Sequence, residues 1–226
     1  MYELMIGNKN YSSWSLRPWL LMRELAIPFA ERLEPFGHGD FRRFSPTGKV
    51  PCLVDGARVV WDSLGITEYL AERHAGVWPH DEDARAWARC ASAEMHSGFG
   101  ALRGNCPMNL GVRVNLDAVT PALTSDIARV EELWDEGIRR FGGPFLAGQA
   151  FTAADAFFGP VAFRFMIYGI PLGGTAHAYA ERLRALAPMR EWYEAALREP
   201  WRDAEHEEEC RQLGTWTADL RQSESA

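Results

Sequence analysis

A single proline constrains this chain more than any other residue. It lies in the stretch 44–70, which reads F-S-P-T-G-K-V-P-C-L-V-D-G-A-R-V-V-W-D-S-L-G-I-T-E-Y-L. Residues 50–54 are apolar and β-rich, Asp55-Gly56 is a hairpin-turn dipeptide, and 58–61 reads as the returning strand. Asp62 and Ser63 are N-cap residues, after which Ile66, Tyr69 and Leu70 recur at helical spacing. Pro51 stands at the head of the first strand, where it has no N–H to give to a ladder. One arrangement that accommodates it is a cis Val50-Pro51 bond, leaving the Val50 N–H and C=O on an open edge. Such an edge, beside the amide-rich helix start at Ser63, suits a small extended peptide carrying a carboxylate. The competing arrangement is a turn proline ahead of an ordinary hairpin, and this stretch alone does not separate the two.

The flanking sequence supplies the rest of a layer. Residues 2–6 are β-like, Gly7 to Asn10 mark a loop, and a helix is predicted from Trp14 or Leu16 to Leu25. Pro28 ends it, 29–33 reads as a strand, and 37–48 is irregular. The order is β-α-β, an irregular crossover, then β-β-α, which matches a small α/β layer of thioredoxin type over residues 1–75. Residues 76–81 form a short loop, and the composition then changes. Helices are predicted over 82–103, 122–141, 151–166, 176–187 and 189–199, and no strand pattern is convincing in this half. Residues 82–226 are therefore expected to form an all-α domain, with a frayed tail at 223–226.

Composition excludes several classes of function. A hydrophobic fraction of 47% and a charged fraction of 24% are those of a globular protein with a core. The net charge of −7 argues against a nucleic-acid or anionic-membrane partner. Cys52, Cys90, Cys106 and Cys210 are scattered with no C-x-x-C, which fits reduced thiols in a cytoplasm. Met1 runs straight into strand-like alternation, so no secretory leader is expected, and no apolar run approaches membrane length. Neither metal-ligand spacing nor a phosphate loop is present, and no metal is expected.

The motif S-P-T-G-K-V-P-C-L followed by W-D-S-x-x-I-x-x-Y-L resembles the glutathione-binding half of the glutathione S-transferase superfamily. The resemblance is strong in the N-terminal half and weak after residue 81. It implies a thioredoxin-like domain, a helical domain and a homodimer. It also implies a cis Pro51, with Val50 pairing to the cysteinyl backbone of glutathione. Lys49 would meet the glycyl carboxylate, Asp62 the α-ammonium and Ser63 the γ-glutamyl carboxylate. For Ser63 a plain helix cap, and for Lys49 a solvated surface role, remain as alternatives.

The loop Tyr11-Ser12-Ser13-Trp14-Ser15-Leu16-Arg17 joins the first strand to the first helix and faces the same crevice as Val50. It resembles the serine-type members, especially the zeta class, where Ser-Ser is followed by Cys and then by Arg. Trp14 replaces that cysteine here. With no cysteine in the loop, disulfide chemistry of glutaredoxin type is not expected. By this resemblance Ser13 activates the thiol, with Ser12 as second choice. A hydroxyl beside a helix N-terminus favours thiolate over thiol. Ser15 is read as the helix cap, which places Pro18 in the tolerant first turn.

His96, Phe99 and Arg103 fall at i, i+3 and i+7, hence on one face of the predicted helix. The resemblance puts that helix along the electrophile pocket, although a lone helix histidine is more often structural. Arg164 suits either a substrate carboxylate or an internal salt bridge. Thr152 and Asp155 read as a capping box, and the acidic run 205–209 as a solvated helix face. The activity implied is attack of glutathione thiolate on a small hydrophobic electrophile. The alternatives are a glutathione-dependent cis-trans isomerase of maleylacetoacetate type and a non-catalytic interaction module.

Overall fold

The computed structural model describes residues 1–221, and the tail expected at 223–226 lies outside the described residues. Strand β1 (Tyr2–Ile6) is the spine of the N-terminal layer. Its alternation buries Leu4 and Ile6 completely. It pairs in parallel with β2 (Phe29–Leu33) and antiparallel with β3 (Cys52–Asp55). β4 (Arg58–Val60) closes the sheet as an edge, giving the order β2-β1-β3-β4. Helix α1 (Ser13–Glu24) makes the crossover from β1 to β2, and α2 (Ser63–Ala71) follows the hairpin. Gly56 turns that hairpin at a φ of +59°, a left-handed value that favours glycine.

The second half is mostly helical. It contains α3 (Glu82–Ser97), α4 (Gly100–Asn105), α5 (Pro121–Phe141), α6 (Ala153–Ile167), α7 (Gly174–Ala185), α8 (Ala187–Arg198) and α9 (Ala204–Arg211). Among the described residues no helix is long and apolar enough to cross a membrane. Helix α6 is apolar on all sides and almost wholly buried, as a central core helix must be. It packs on both α1 and α3. A Cβ at Gly159 would meet Leu20 Cδ2 at 2.9 Å, so glycine there lets α6 approach α1 closely.

Three expectations need correction. The helix predicted over 82–103 breaks at Phe99, which takes a left-handed backbone (φ +54°, ψ 43°). A Cβ at Gly98 would lie 2.8 Å from the Glu94 carbonyl oxygen, so the break requires that glycine. Phe99 turns into the core, and the Asp126 carboxylate accepts from Leu102 N–H at 2.9 Å at the new helix start. His96, Phe99 and Arg103 therefore do not share one continuous helix face.

The helical half also contains a two-stranded sheet, with β5 (Val112–Leu116) antiparallel to β6 (Gly214–Asp219). Each strand is short, and its pairing signal lies about a hundred residues away in the chain.

The acidic run, finally, is not wholly solvated. Glu207 is buried and accepts from Tyr11 Oη at 2.8 Å, Arg221 at 3.2 Å and Arg202 at 3.3 Å. Arg221 also donates to Tyr11 Oη at 2.7 Å, across 210 positions of sequence. Burial first, then the bond to Glu207 against the pull of Arg221, pushes the Tyr11 phenol up to about 12.

The start of α6 is held as a capping box and more. Asp155 is fully buried, and one carboxylate oxygen accepts from the Thr152 N–H (2.9 Å) and hydroxyl (3.2 Å). Its other oxygen accepts from Leu146 N–H (3.0 Å) and Tyr179 Oη (2.8 Å). Burial raises its pKa to about 6, against the lowering effect of those bonds.

Candidate active site

A cleft of about 590 Å³ opens between the loop after β1, the segment before β3, the end of α4, and helices α6 and α9. Ser12, Ser13, Lys49, Val50 and Arg103 all line it. Pro51, Asp62, Ser63, His96 and Phe99 do not form part of its lining.

The serine loop differs from expectation at the cap. Helix α1 starts at Ser13, and its N-cap is Ser12, whose Oγ accepts from Ser15 N–H at 3.4 Å. Ser12 also donates its hydroxyl proton to Ser15 Oγ at 2.7 Å, and Ser15 Oγ accepts from Gly7 N–H at 3.2 Å. Ser15 is thus a buried tie between the helix and the end of β1, not the cap, and Pro18 falls inside the helix. Alanine at Ser12 is expected to lower stability by about 0.5–2 kcal/mol, the usual loss of an N-cap. Urea denaturation of Ser12→Ala checks this, and an unchanged midpoint would return the capping role to Ser15.

Ser13 is buried, and its Oγ accepts from Arg164 Nη2 at 3.1 Å. Among the described residues its own proton has no acceptor. Beside it, the Trp14 ring lies 4.1 Å from the Arg17 guanidinium, 5.4 Å from that of Arg103 and 5.2 Å from the His96 ring. Arg17 is buried, and its Nε and Nη1 have no partner among the described residues. Burial, then repulsion from Arg103 and Arg164, lowers its pKa to about 9.

The Val50-Pro51 bond is cis, as the proline at the strand head suggested. No hydrogen bond among the described residues uses the Val50 N–H or C=O. Lys49 is exposed at the rim and forms no ion pair among the described residues. Ser63 is fully buried at the start of α2, and its Oγ has no partner among the described residues. Asp62 caps α2 by accepting from Leu64 N–H at 2.9 Å, and its second oxygen lies 3.3 Å from His96 Nε2. Burial holds the His96 pKa below its ordinary value, with Asp62 opposing and Arg17 and Arg103 reinforcing. His96 therefore braces Asp62 and Trp14, whereas Phe99 belongs to the core.

Other lining residues were outside the sequence-based site. Arg164 carried a signal, a charge within an apolar helix. Burial lowers its pKa to about 10, partly offset by Tyr168 and Cys106, so it stays protonated at neutral pH. Tyr11 and His206 carried no local signal. The His206 ring stacks between Tyr11 and Phe36, 5.0 Å from each, joining α9 to the opposite wall.

The curated relatives include a glutathione S-transferase zeta class protein of Euphorbia esula, 28% identical over 124 residues. That match covers 54% of this chain and 55% of the relative. A probable maleylacetoacetate isomerase of Caenorhabditis elegans is 32% identical over 94 residues, covering 40% of this chain and 44% of that one. The chain thus spans about half the length of the curated relatives it matches. Among solved structures, a Burkholderia glutathione transferase homolog with bound glutathione aligns with a TM-score of 0.67 at 22% identity. It covers 86% of this chain and 97% of that one, and at this identity it shows the shared fold. The family model for the glutathione S-transferase N-terminal domain matches residues 11–73, and that for the C-terminal domain matches residues 117–195. With both domains present in order over more than half its length, the chain belongs to the glutathione S-transferase superfamily.

Proposed function

We propose that this protein is a glutathione transferase. In this reading glutathione lies extended along the Val50 edge, its cysteinyl backbone paired with the free Val50 N–H and C=O. Lys49 takes the glycyl carboxylate, while Ser63 and the α2 amides take the γ-glutamyl carboxylate and Asp62 the α-ammonium. Ser13 donates to the sulfur at the start of α1, favouring thiolate. The thiolate then attacks a small electrophile held against the helical domain. Residues 1–75 would act as the glutathione-binding unit and residues 82–226 as the acceptor-binding unit. The observation that carries the reading is the Ser13 hydroxyl, buried in the cleft with its proton uncommitted. The names of the curated relatives support it.

Exposed Val59 and Trp61, on and just beyond edge strand β4, suit a covered face and support a homodimer. A cytoplasmic location fits the four free cysteines. A second reading, isomerisation of a maleyl-type diacid by thiolate addition and release, is favoured by Arg103, which lines the cleft.

Titration calorimetry with reduced glutathione tests the shared basis of both readings. Saturation at a hundred times the dissociation constant should stabilise the fold by about 2.7 kcal/mol in a melting experiment. Absence of both heat and stabilisation would leave the interaction module. If glutathione binds, conjugation to an aryl halide against isomerisation of the diacid separates the two activities.

A further inference from the structure

Arg164 is a cation in the apolar helix α6, buried to 6% exposure where it reaches the cleft wall. No carboxylate forms an ion pair with it among the described residues. The groups acting on it are Tyr168 at the end of its own helix, Cys106 and Arg103 from the end of α4, and the exposed Glu209 of α9. Arg17 of α1 also lies within range. Its Nη1 donates to the Arg103 and Cys106 carbonyls, which belong to the open C-terminal end of α4. That accounts for one nitrogen. The second terminal nitrogen, Nη2, donates to Ser13 Oγ.

A guanidinium has donors and no acceptor. Ser13 must therefore receive from Arg164, and its single hydroxyl proton is left to point elsewhere. Ser12, the other cleft serine, already gives its proton to Ser15. Only one of the two serines is thus free to donate into the cleft.

We propose that Arg164 is a positioning residue for thiol activation. It fixes Ser13 as an acceptor on the protein side, turns the hydroxyl proton toward the glutathione sulfur, and places an unpaired positive charge behind it. This inference rests on the reading of the cleft as a glutathione site. The thiolate supplies the anion that the buried guanidinium lacks, and an opposite charge nearby favours the charged form.

The test is a pH titration of thiolate absorbance of glutathione bound to the wild type, Arg164→Gln, Ser13→Ala and the double variant. Arg164→Gln should raise the thiol pKa by about one unit, a roughly tenfold fall in its ionisation constant. In the Ser13→Ala background the same change should shift the pKa much less, because part of its effect passes through Ser13. Arg164→Lys should recover part of the shift by restoring the charge.

A folded Arg164→Gln that binds glutathione with an unmoved thiol pKa would overturn the proposal. Equal shifts with and without Ser13 would also overturn it. Should Arg164→Gln fail to fold, Arg164→Met, unbranched and uncharged, is read by the same two outcomes. Failure of the wild type to bind glutathione would instead overturn the functional reading beneath it.

Discussion

Replacing Ser13 with alanine is expected to reduce turnover about 10- to 30-fold near neutral pH, where a thiol of ordinary pKa is only about 3% ionised. The hydroxyl donates to the thiolate, so its loss disfavours the charged form and moves the bound thiol toward the ordinary thiol value of about 8.5. The defect should therefore be largest near pH 7 and shrink as the thiol ionises unaided. Glutathione affinity should change little, because the contacts proposed for Lys49, Val50, Asp62 and Ser63 do not involve the sulfur. Ser12→Ala provides the contrast, since its effect should appear in stability. A thiol pKa that moves in Ser12→Ala and stays fixed in Ser13→Ala would reassign the donor.

The largest effect on folding should come from Asp155. Alanine there strands the Leu146 and Thr152 N–H groups and the Thr152 and Tyr179 hydroxyls in a dry interior. A loss of about 3–5 kcal/mol is expected in chemical denaturation. Titration adds a second signature. The folded carboxyl is raised from 3.8 to about 6, so the native state holds its proton more tightly than the unfolded chain. Stability from this group is greatest well below pH 4 and is lost as pH rises through 6, by about 3 kcal/mol in all. Asp155→Asn lacks that titration. The stability of the wild type relative to Asp155→Asn should fall by about 2 kcal/mol between pH 4 and pH 6. A difference independent of pH would show that the carboxyl does not titrate in this range.

The parts of this molecule legible in its sequence are those whose partners are near in the chain. The hairpin and the capped helix of residues 50–71 are built from neighbours, so turn and capping chemistry suffice to place them, whereas the cis form of Pro51 took the family resemblance to decide. The serine loop was harder because Ser12, Ser13 and Ser15 all have the chemistry of a cap. The choice fell to Gly7, whose N–H occupies Ser15, a tertiary contact that helix propensity does not encode. Phe99 reads as a helix residue until the core draws its ring inward and a left-handed turn follows. Glu207 sits among exposed acids, and only the folded position of Tyr11 and Arg221 explains its burial. The tie between Arg164 and Ser13 spans 151 positions and had no local sign beyond a charge between two phenylalanines.

The Tyr11–Glu207–Arg221 lock has a consequence for the order of assembly. His206 and Glu209 of α9 supply one side of the cleft, held by the contacts of Glu207 and Arg221 with Tyr11, whereas the serine loop comes from residues 11–15. During synthesis the N-terminal layer leaves the ribosome first, with the phenol of Tyr11 and the face of Phe36 uncovered. Closing so long a loop raises the contact order of the final step and slows it relative to the local hairpin and helices. A nascent chain that lacks α9 and β6 would have its N-terminal layer and its serines in place, yet only a half-walled groove. Binding competence should thus arrive late in the life of each molecule, set by the return of its last strand to its first loop.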